Sequence, residues 1–579
     1  MQKIVKDILK KYIGHIIILI IFMIINMYIL TLPPKMVGKI IDLLYDIETN
    51  KVLINQYIIY LMITVFILLL TRTPWRTLAS YISRAFEKDM KDKLFDHFMR
   101  VKMNNIQNIK NGEWMSYFTK DIGELKAFLY RVISYATRVV IISIIAIYTM
   151  AQGIDLELTL ITLCPILVTV YIVIKLKQHL ENSFRKSQTN FTNLSQYVQE
   201  STDGIRTIKA YTGETKQLKD FIRKNRQLKQ SNNTVDVFST LLSVSINIGF
   251  GICYGISLIL GSKLVLEGKI TIGDFTAFNG YIALFYGPVS WMPTIISRYK
   301  RAQISFRRLD KIFKLEKEKI TSEITKENIV DGDIVIHDLS FNYPSNIEVA
   351  LSNINIVVRK GETLGIIGTI GSGKTTLMNL LMKLYPVPNG KILIGGKDIN
   401  EIETTDLRRS MCYITQDNFL FSSTLKDNIS LFNETYKEDE IKDSTKNAII
   451  YDDIETMQDN IYTIIGERGI DLSGGQKQRV AISRAFLKKS NFVIFDDTFS
   501  ALDNKTEEKL LENVKELTEG KTCIIISNRI SDIKSADKII VLDSGKIVQF
   551  GNHQSLINQD GLYNEFYRQQ SSKDLELLA

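Results

Sequence analysis

Residues 363–385, TLGIIGTIGSGKTTLMNLLMKLY, decide how the C-terminal half of this 579-residue chain is read. The opening run TLGIIG is apolar and bounded by glycine, as a short buried strand is, whereas TLMNLLMKLY spaces its apolar residues as a helix does. Between them Gly368, Thr369, Ile370, Gly371, Ser372, Gly373, Lys374 and Thr375 satisfy G-x-x-x-x-G-K-[ST], and Thr376 follows. Strand, glycine loop and helix in that order are the context this pattern demands. Glycines let successive backbone N–H groups curl around phosphate oxygens, and the helix N-terminus adds positive potential. In that arrangement Lys374 reaches the β- and γ-phosphates and the Thr375 hydroxyl ligates Mg²⁺. The expectation is an α/β P-loop domain that binds a nucleoside triphosphate.

A second strand supplies the acid that such a site needs. In residues 492–503, FVIFDDTFSALD, the apolar run ends in Asp496, a carboxylate placed for the magnesium. Asp497 stands immediately after it, where a hydrolytic site needs a base.

Upstream the composition changes. The chain is 45% hydrophobic and 23% charged, yet the apolar residues concentrate before about residue 300, so one membrane unit and one soluble unit are expected. The net charge of +9 is read as membrane topology rather than nucleic-acid binding, because basic residues flank apolar segments in KIVKDILKKYI and RAFEKDMKDKLFDHFMR. None of the four cysteines, Cys164, Cys253, Cys412 and Cys523, has metal-ligand spacing. The first apolar run is followed by bulky YILTLPPKMVGKII rather than a small-residue cleavage site, so it is read as retained.

Apolar stretches at 15–33, 56–71, 132–151, 156–174, 237–261 and 275–293 approach the ~20 residues that cross ~30 Å of hydrocarbon. The link at 152–155, QGID, carries no Lys or Arg, whereas 72–131 and 175–236 are rich in both. Both termini and the two long loops are therefore expected in the cytoplasm. Those loops keep helical spacing without Gly/Pro/Ser clusters, which predicts spans prolonged beyond the bilayer as paired helices turning at 104–122 and 200–214. Residues 1–14 read as a basic amphipathic helix suited to a membrane surface, 15–320 as a six-span domain, and 332–579 as the nucleotide-binding domain. Asn26, Asn247 and Asn279 suit either helix pairing or a cavity wall.

The run LSGGQKQR at 472–479 resembles the signature motif of ATP-binding cassette (ABC) proteins, and IGERGIDLSGGQKQRVAISRA at 465–485 matches that family nearly throughout. The resemblance extends over the chain, with six spans followed by one cassette as in exporter half-transporters; the segment at Glu467 is characteristic of exporters. It implies that Tyr343 in LSFNYP stacks on adenine, and that Gln416 in YITQDNFLFSSTLKDNI contacts magnesium and faces the membrane helices. It further implies that SALD, ending at Asp503, touches a second cassette. Ser473, Gly474, Gly475 and Gln476 would open a helix whose N–H groups cap the γ-phosphate of the partner's ATP.

Two positions depart from the family pattern. The residue after the magnesium aspartate is usually glutamate, and Asp497 retracts its carboxylate by about 1.5 Å. Histidine is expected at 528 in TCIIISNRISDIKSADKIIVL, where the chain has Asn528, which donates a hydrogen bond but never becomes a cation. With the signature intact, these substitutions point to one half of a heterodimeric bacterial exporter, which keeps a degenerate site and completes its partner's. The substrate class is amphipathic by resemblance, with drug, lipid and peptide open and leader-peptide processing not expected. A homodimeric exporter with slow turnover and a nucleotide-gated regulator that binds ATP without pumping are the alternatives.

Overall fold

Apolar runs that must satisfy every backbone amide without water can do so as helices, and in the computed structural model the N-terminal part is helical. Everything except residues 107, 108, 110, 319–329, 344–348, 467, 468, 470, 471, 501 and 579 is described. The chain forms two units, Met1–Met99 with Lys110–Leu315, and Arg100–Ile109 with Glu316–Ala579. Much of the linker expected at 320–332 lies outside the described residues, as does Glu467.

The first unit contains α1 (Gln2–Lys11), α2 (Ile13–Leu30), α3 (Leu32–Leu43), α4 (Ile47–Arg100), α5 (Ser134–Gly153), α6 (Leu156–Asp203), α7 (Glu214–Leu266), α8 (Ile272–Leu284) and α9 (Tyr286–Phe313). Pro33 and Pro34 cannot donate the bonds that would prolong α2; they stand in the first turn of α3, where no intrahelical donor is missed. Among the described residues, four helical stretches are long and apolar enough to cross a membrane: Ile13–Arg100, Gly112–Gly153, Leu156–Asp203 and Glu214–Leu266. The first holds two of the expected spans, 15–33 and 56–71. The expected span at 275–293 falls on α8 and the start of α9, which are divided at Phe285, and neither is among those four stretches.

With 48 and 53 residues, α6 and α7 reach about 72 and 80 Å, more than twice the ~30 Å hydrocarbon thickness. They run antiparallel along each other. Near one end a Cβ added to Gly249 would lie 1.9 Å from Thr169 Oγ1, so glycine is what lets the backbones approach. Further along, Asn190 Nδ2 donates to Ser231 Oγ at 2.6 Å and the Tyr197 hydroxyl to the Gln217 carbonyl at 3.1 Å. The connection at 200–214 holds the short helix Ile205–Ala210.

Polar side chains join the apolar helices. Buried Asn26 donates to the Leu68 carbonyl at 3.1 Å and to Thr71 Oγ1 at 2.9 Å, linking α2 to α4. Asn247 accepts from the Tyr286 hydroxyl, and Asn279 donates one turn back to Phe275. Asp42 on α3 accepts from Thr271 Oγ1 at 2.7 Å and Gly273 N at 2.6 Å, satisfying donors that α8 leaves free at its start. The ends of α1 are tied down by the Met1 ammonium on Asp310 and Lys11 on Asp89.

Beyond the short helix Met103–Ile106, the second unit contains β1 (Ile334–Phe341), β2 (Leu351–Val358) and β3 (Thr363–Gly368), followed by α10 (Lys374–Leu381). Next come β4 (Ile392–Ile394), β5 (Lys397–Asp398), β6 (Met411–Ile414), α11 (Gly474–Leu487), β7 (Phe492–Asp496), α12 (Asn504–Thr518), β8 (Thr522–Ile526), β9 (Lys538–Asp543), β10 (Lys546–Gly551) and α13 (Leu562–Leu578). An antiparallel sheet has the order β2-β1-β4-β5, and a six-stranded sheet the order β10-β9-β3-β8-β7-β6. In the latter all pairs are parallel except β10 with β9. Strands β7 and β8 are buried along their whole length, as expected for a parallel sheet covered on both faces. Ile366, Ile526 and Asp496 stand level across β3, β8 and β7, so these strands end at one edge of the sheet. Ligands of open α/β sheets bind at that carboxyl edge.

Candidate nucleotide-binding site

Three strand ends deliver the chemistry. The phosphate loop follows β3, Asp496 closes β7 with Asp497 directly after it, and Asn528 stands just beyond β8. Gly371 and Gly373 have φ of +82° and +99°, a region that L side chains avoid, and a Cβ on Gly373 would lie 2.7 Å from the Ala350 carbonyl oxygen. Ile370 at the crest of the loop is 98% exposed. Ser372 is buried, and its Oγ has no hydrogen-bond partner among the described residues. A buried hydroxyl left without a partner in a ring of glycines fits an anion that supplies the missing acceptor.

Lys374 Nζ donates to the carbonyls of Gly368 at 2.8 Å and Thr369 at 2.9 Å, which folds the side chain back over its own loop. Burial lowers the pKa of this ammonium, and Asp496 and Asp497 partly oppose that shift. Asp496 is 2% exposed. Burial raises the pKa of its carboxyl, against the opposing effect of hydrogen bonds from Tyr413 and Thr375. Carboxylate oxygens held in this way beside the Thr375 hydroxyl form a hard-oxygen set that suits Mg²⁺. Thr375 and Gln416 are exposed and Asp496 is buried.

Asp497 adopts φ of +48°, the left-handed region, directly after the strand, which turns its side chain out of the β7 alternation. One oxygen, Oδ2, accepts from Gln416 Nε2 at 3.2 Å and from Asn528 Nδ2 at 3.4 Å. The two positions that depart from the family pattern therefore touch each other, and Asp497 also touches Gln416. All three groups are neutral amides or a carboxylate, and none can take a positive charge as histidine does.

Tyr343 stands at the rim. Its ring meets Tyr385 edge-on at 5.0 Å and its hydroxyl shares a hydrogen bond with Thr376 Oγ1 at 3.0 Å. Ser473 caps α11. Gln476 N donates to Ser473 Oγ at 3.3 Å and Ser473 N donates to Gln476 Oε1 at 3.0 Å, a reciprocal box that starts the helix. The Gln476 amide also donates to Asp453, which pairs with Arg479 at 3.0 Å. Ser473 and Gly474 are exposed. No hydrogen bond or ion pair among the described residues joins this turn to the phosphate loop of the same chain. Asp503 accepts from Thr506 N at 3.1 Å and caps α12.

Two further contacts involve residues of the quoted stretches to which the resemblance assigns no role. The Tyr413 hydroxyl donates to Asp496 Oδ2 at 2.9 Å, and burial together with Asp496 raises the pKa of that phenol. Its signal in the sequence is only position, three residues before Gln416 on β6. Arg484 on α11 donates to the carbonyls of Asn428 and Phe419, each at 3.0 Å, and so ties the signature helix to the segment after Gln416. Burial lowers its guanidinium pKa to about 10.

The chain is similar to known proteins over most of its length. Residues 16–289 match the ABC transporter transmembrane region family and 351–500 match the ABC transporter family. The chain is 30% identical over 573 residues to the probable multidrug resistance ABC transporter ATP-binding/permease protein YheI of Bacillus subtilis, covering 97% of this chain and 95% of that one. It is 31% identical over 576 residues to a putative multidrug export ATP-binding/permease protein of Staphylococcus aureus, covering 96% of this chain and 98% of that one. A bacterial Atm1-family ABC exporter with ATP bound shares the fold, with a TM-score of 0.81 at 21% identity, covering 97% of this chain and 99% of that one.

Proposed function

The chain belongs to the ABC transporter family as an exporter half-transporter of the plasma membrane, an ATPase that uses ATP and Mg²⁺ and acts as one member of a dimer, and from that premise we propose that its partner is a different half. In this reading the pair exports an amphipathic small molecule, in keeping with the multidrug names of its relatives. The chain's own site holds ATP and hydrolyses it slowly, while its intact signature completes a working site on the partner.

The residues divide the work as follows. N–H groups of residues 369–375 cradle the phosphates, Lys374 leaves its loop carbonyls for the β- and γ-oxygens, and Tyr343 offers its ring to the base. Thr375, Gln416 and Asp496 would hold magnesium, which neutralises charge between the phosphates when bound. Asp497 is the group placed to take a proton from attacking water. The first turn of α11, where Ser473 and Gly474 are exposed and Gly475 follows, would meet a γ-phosphate that this chain does not itself hold.

The observation that carries the reading is the arrangement around Asp497. Its Oδ2 is shared by two neutral amide donors, Gln416 and Asn528, so the shortened base points into a clamp rather than at a cation. Co-purification of the chain with its neighbouring-gene product, followed by ATPase measurement, tests it. Ser473→Arg is expected to abolish turnover of the pair, and Asp497→Ala to cost far less. A stable assembly of this chain alone that turns over ATP briskly establishes the homodimer instead.

A further inference from the structure

The loop that carries Asn528 is held by a residue no motif contains. Gln570 on α13 accepts from Ile530 N at 2.9 Å through Oε1 and donates from Nε2 to the Asn528 carbonyl at 2.8 Å. Ile530 N–H is one of the donors left free at the start of the helix Ile530–Ile533, so the contact satisfies a group that would otherwise cost stability. Only a primary amide presents an acceptor and a donor in this fork; a carboxylate only accepts and an ammonium only donates.

The support for Gln570 is rigid. Tyr563 is fully buried, its hydroxyl shares a hydrogen bond with His553 Nδ1 at 2.7 Å, and its N–H donates to Gln549 Oε1 at 2.9 Å. Tyr563, Phe566 and Gln570 recur at helical spacing on one face of α13, and Phe566 packs against the same core as Tyr563. Elsewhere in the loop, Ser527 Oγ accepts from Arg529 N at 2.9 Å, Ser531 donates to Glu507 at 3.0 Å, and Arg529 pairs with Glu507. The Ser527 contact holds the Arg529 amide from within the loop and the Glu507 contacts fix side chains, whereas Gln570 grips the backbone on both sides of Arg529 from a separate helix.

We infer that Gln570 is a positioning residue for the switch segment, bridging the Asn528 carbonyl and the Ile530 amide so that docking of α13 sets how far the Asn528 side chain reaches toward Asp497 and the γ-phosphate. This rests on the assignment of Asn528 to the nucleotide, so the test separates the two claims. Hydrogen exchange of the full-length chain in nanodiscs reads the loop directly in peptides covering 527–533 and 562–569. Binding of a fluorescent non-hydrolysable ATP analogue with Mg²⁺ reads the consequence.

Gln570→Ala is expected to speed exchange at 527–533 by on the order of tenfold, leave 562–569 unchanged, and weaken nucleotide binding about two- to tenfold. Gln570→Glu keeps the Ile530 acceptor and should fall between wild type and Gln570→Ala in loop exchange. Unchanged exchange at 527–533, an equal rise at 562–569, or Gln570→Glu exchanging as fast as Gln570→Ala overturns the inference. Asn528→Ala is the control: if it leaves affinity unchanged, the assignment of Asn528 fails and loop exchange alone decides the Gln570 contact. If Asn528→Ala weakens binding while Gln570→Ala does not, the positioning role is overturned.

Discussion

On the proposed division of labour, lengthening the base at residue 497 should create activity at the chain's own site. Asp497→Glu advances the carboxylate by about 1.5 Å. At present Oδ2 sits 3.2 Å from Gln416 Nε2 and 3.4 Å from Asn528 Nδ2, both at the long end of the hydrogen-bond range. A displacement near 1 Å costs on the order of 10²-fold, or about 2.7 kcal/mol of barrier. Asn528→His supplies the second missing element, a ring that can hold a proton beside the γ-phosphate. The double variant Asp497→Glu/Asn528→His is expected to raise single-turnover phosphate release from the chain's own site by on the order of 10²-fold. The assay uses the full chain in nanodiscs together with its partner half, in excess over ATP with Mg²⁺ present, and adds Ser473→Arg to this chain so that the partner's site stays silent. A rise of less than about threefold, with nucleotide affinity preserved, refutes the claim that geometry at residues 497 and 528 limits hydrolysis.

Three further outcomes follow from the contacts. Burial raises the Asp496 carboxyl pKa in the folded chain, so between the unfolded and folded values the folded state holds more protons, and stability of the nucleotide-free chain falls as pH rises through that window. Asp496→Asn removes the buried charge and keeps an acceptor for Tyr413; it should raise the cassette's thermal midpoint at neutral pH while abolishing Mg²⁺-dependent ATP binding, and an unchanged or lower midpoint counts against the burial argument. Tyr413→Phe removes one donor to Asp496 and is expected to weaken the Mg²⁺ dependence of ATP binding about two- to tenfold, read by titrating Mg²⁺ at fixed fluorescent ATP. Asn26→Leu breaks the α2–α4 link but leaves Thr71 bonded to the Ile67 carbonyl, so detergent-solubilised protein should lose only about 0.5–1 kcal/mol in thermal unfolding.

How much of this was legible in the sequence depends on the range of the interaction. Periodicity and turn chemistry act over a few residues, and so β3, the phosphate loop and α10 could be placed from residues 363–385 alone. The same holds for α6 and α7, whose helical spacing runs unbroken from the apolar spans into the polar stretches. The span expected at 275–293 was harder, because its extent depends on the Phe285 break, on the Gly38–Gly273 approach and on Asp42 capping α8 from a helix more than two hundred residues away. None of these leaves a local pattern.

The site shows the same division at closer range. Asp496, Lys374 and Ser473 are visible because each sits in a motif whose spacing is fixed by one turn of backbone. Contact between Asp497 and Asn528 could be suspected only as two departures from one pattern; the sheet order β3-β8-β7 makes it geometric, since β8 stands between the strands that carry the loop and the acids. Tyr413 and Gln570 were invisible for a different reason. Tyr413 acts through a hydroxyl near the end of a short strand, where β propensity already explains a tyrosine. Gln570 acts on backbone atoms, and a backbone carbonyl is present whatever the sequence says. A residue that recognises peptide groups leaves no trace in the segment it recognises, so the elements that hold a switch in register are the part of a nucleotide site that a sequence conceals most completely.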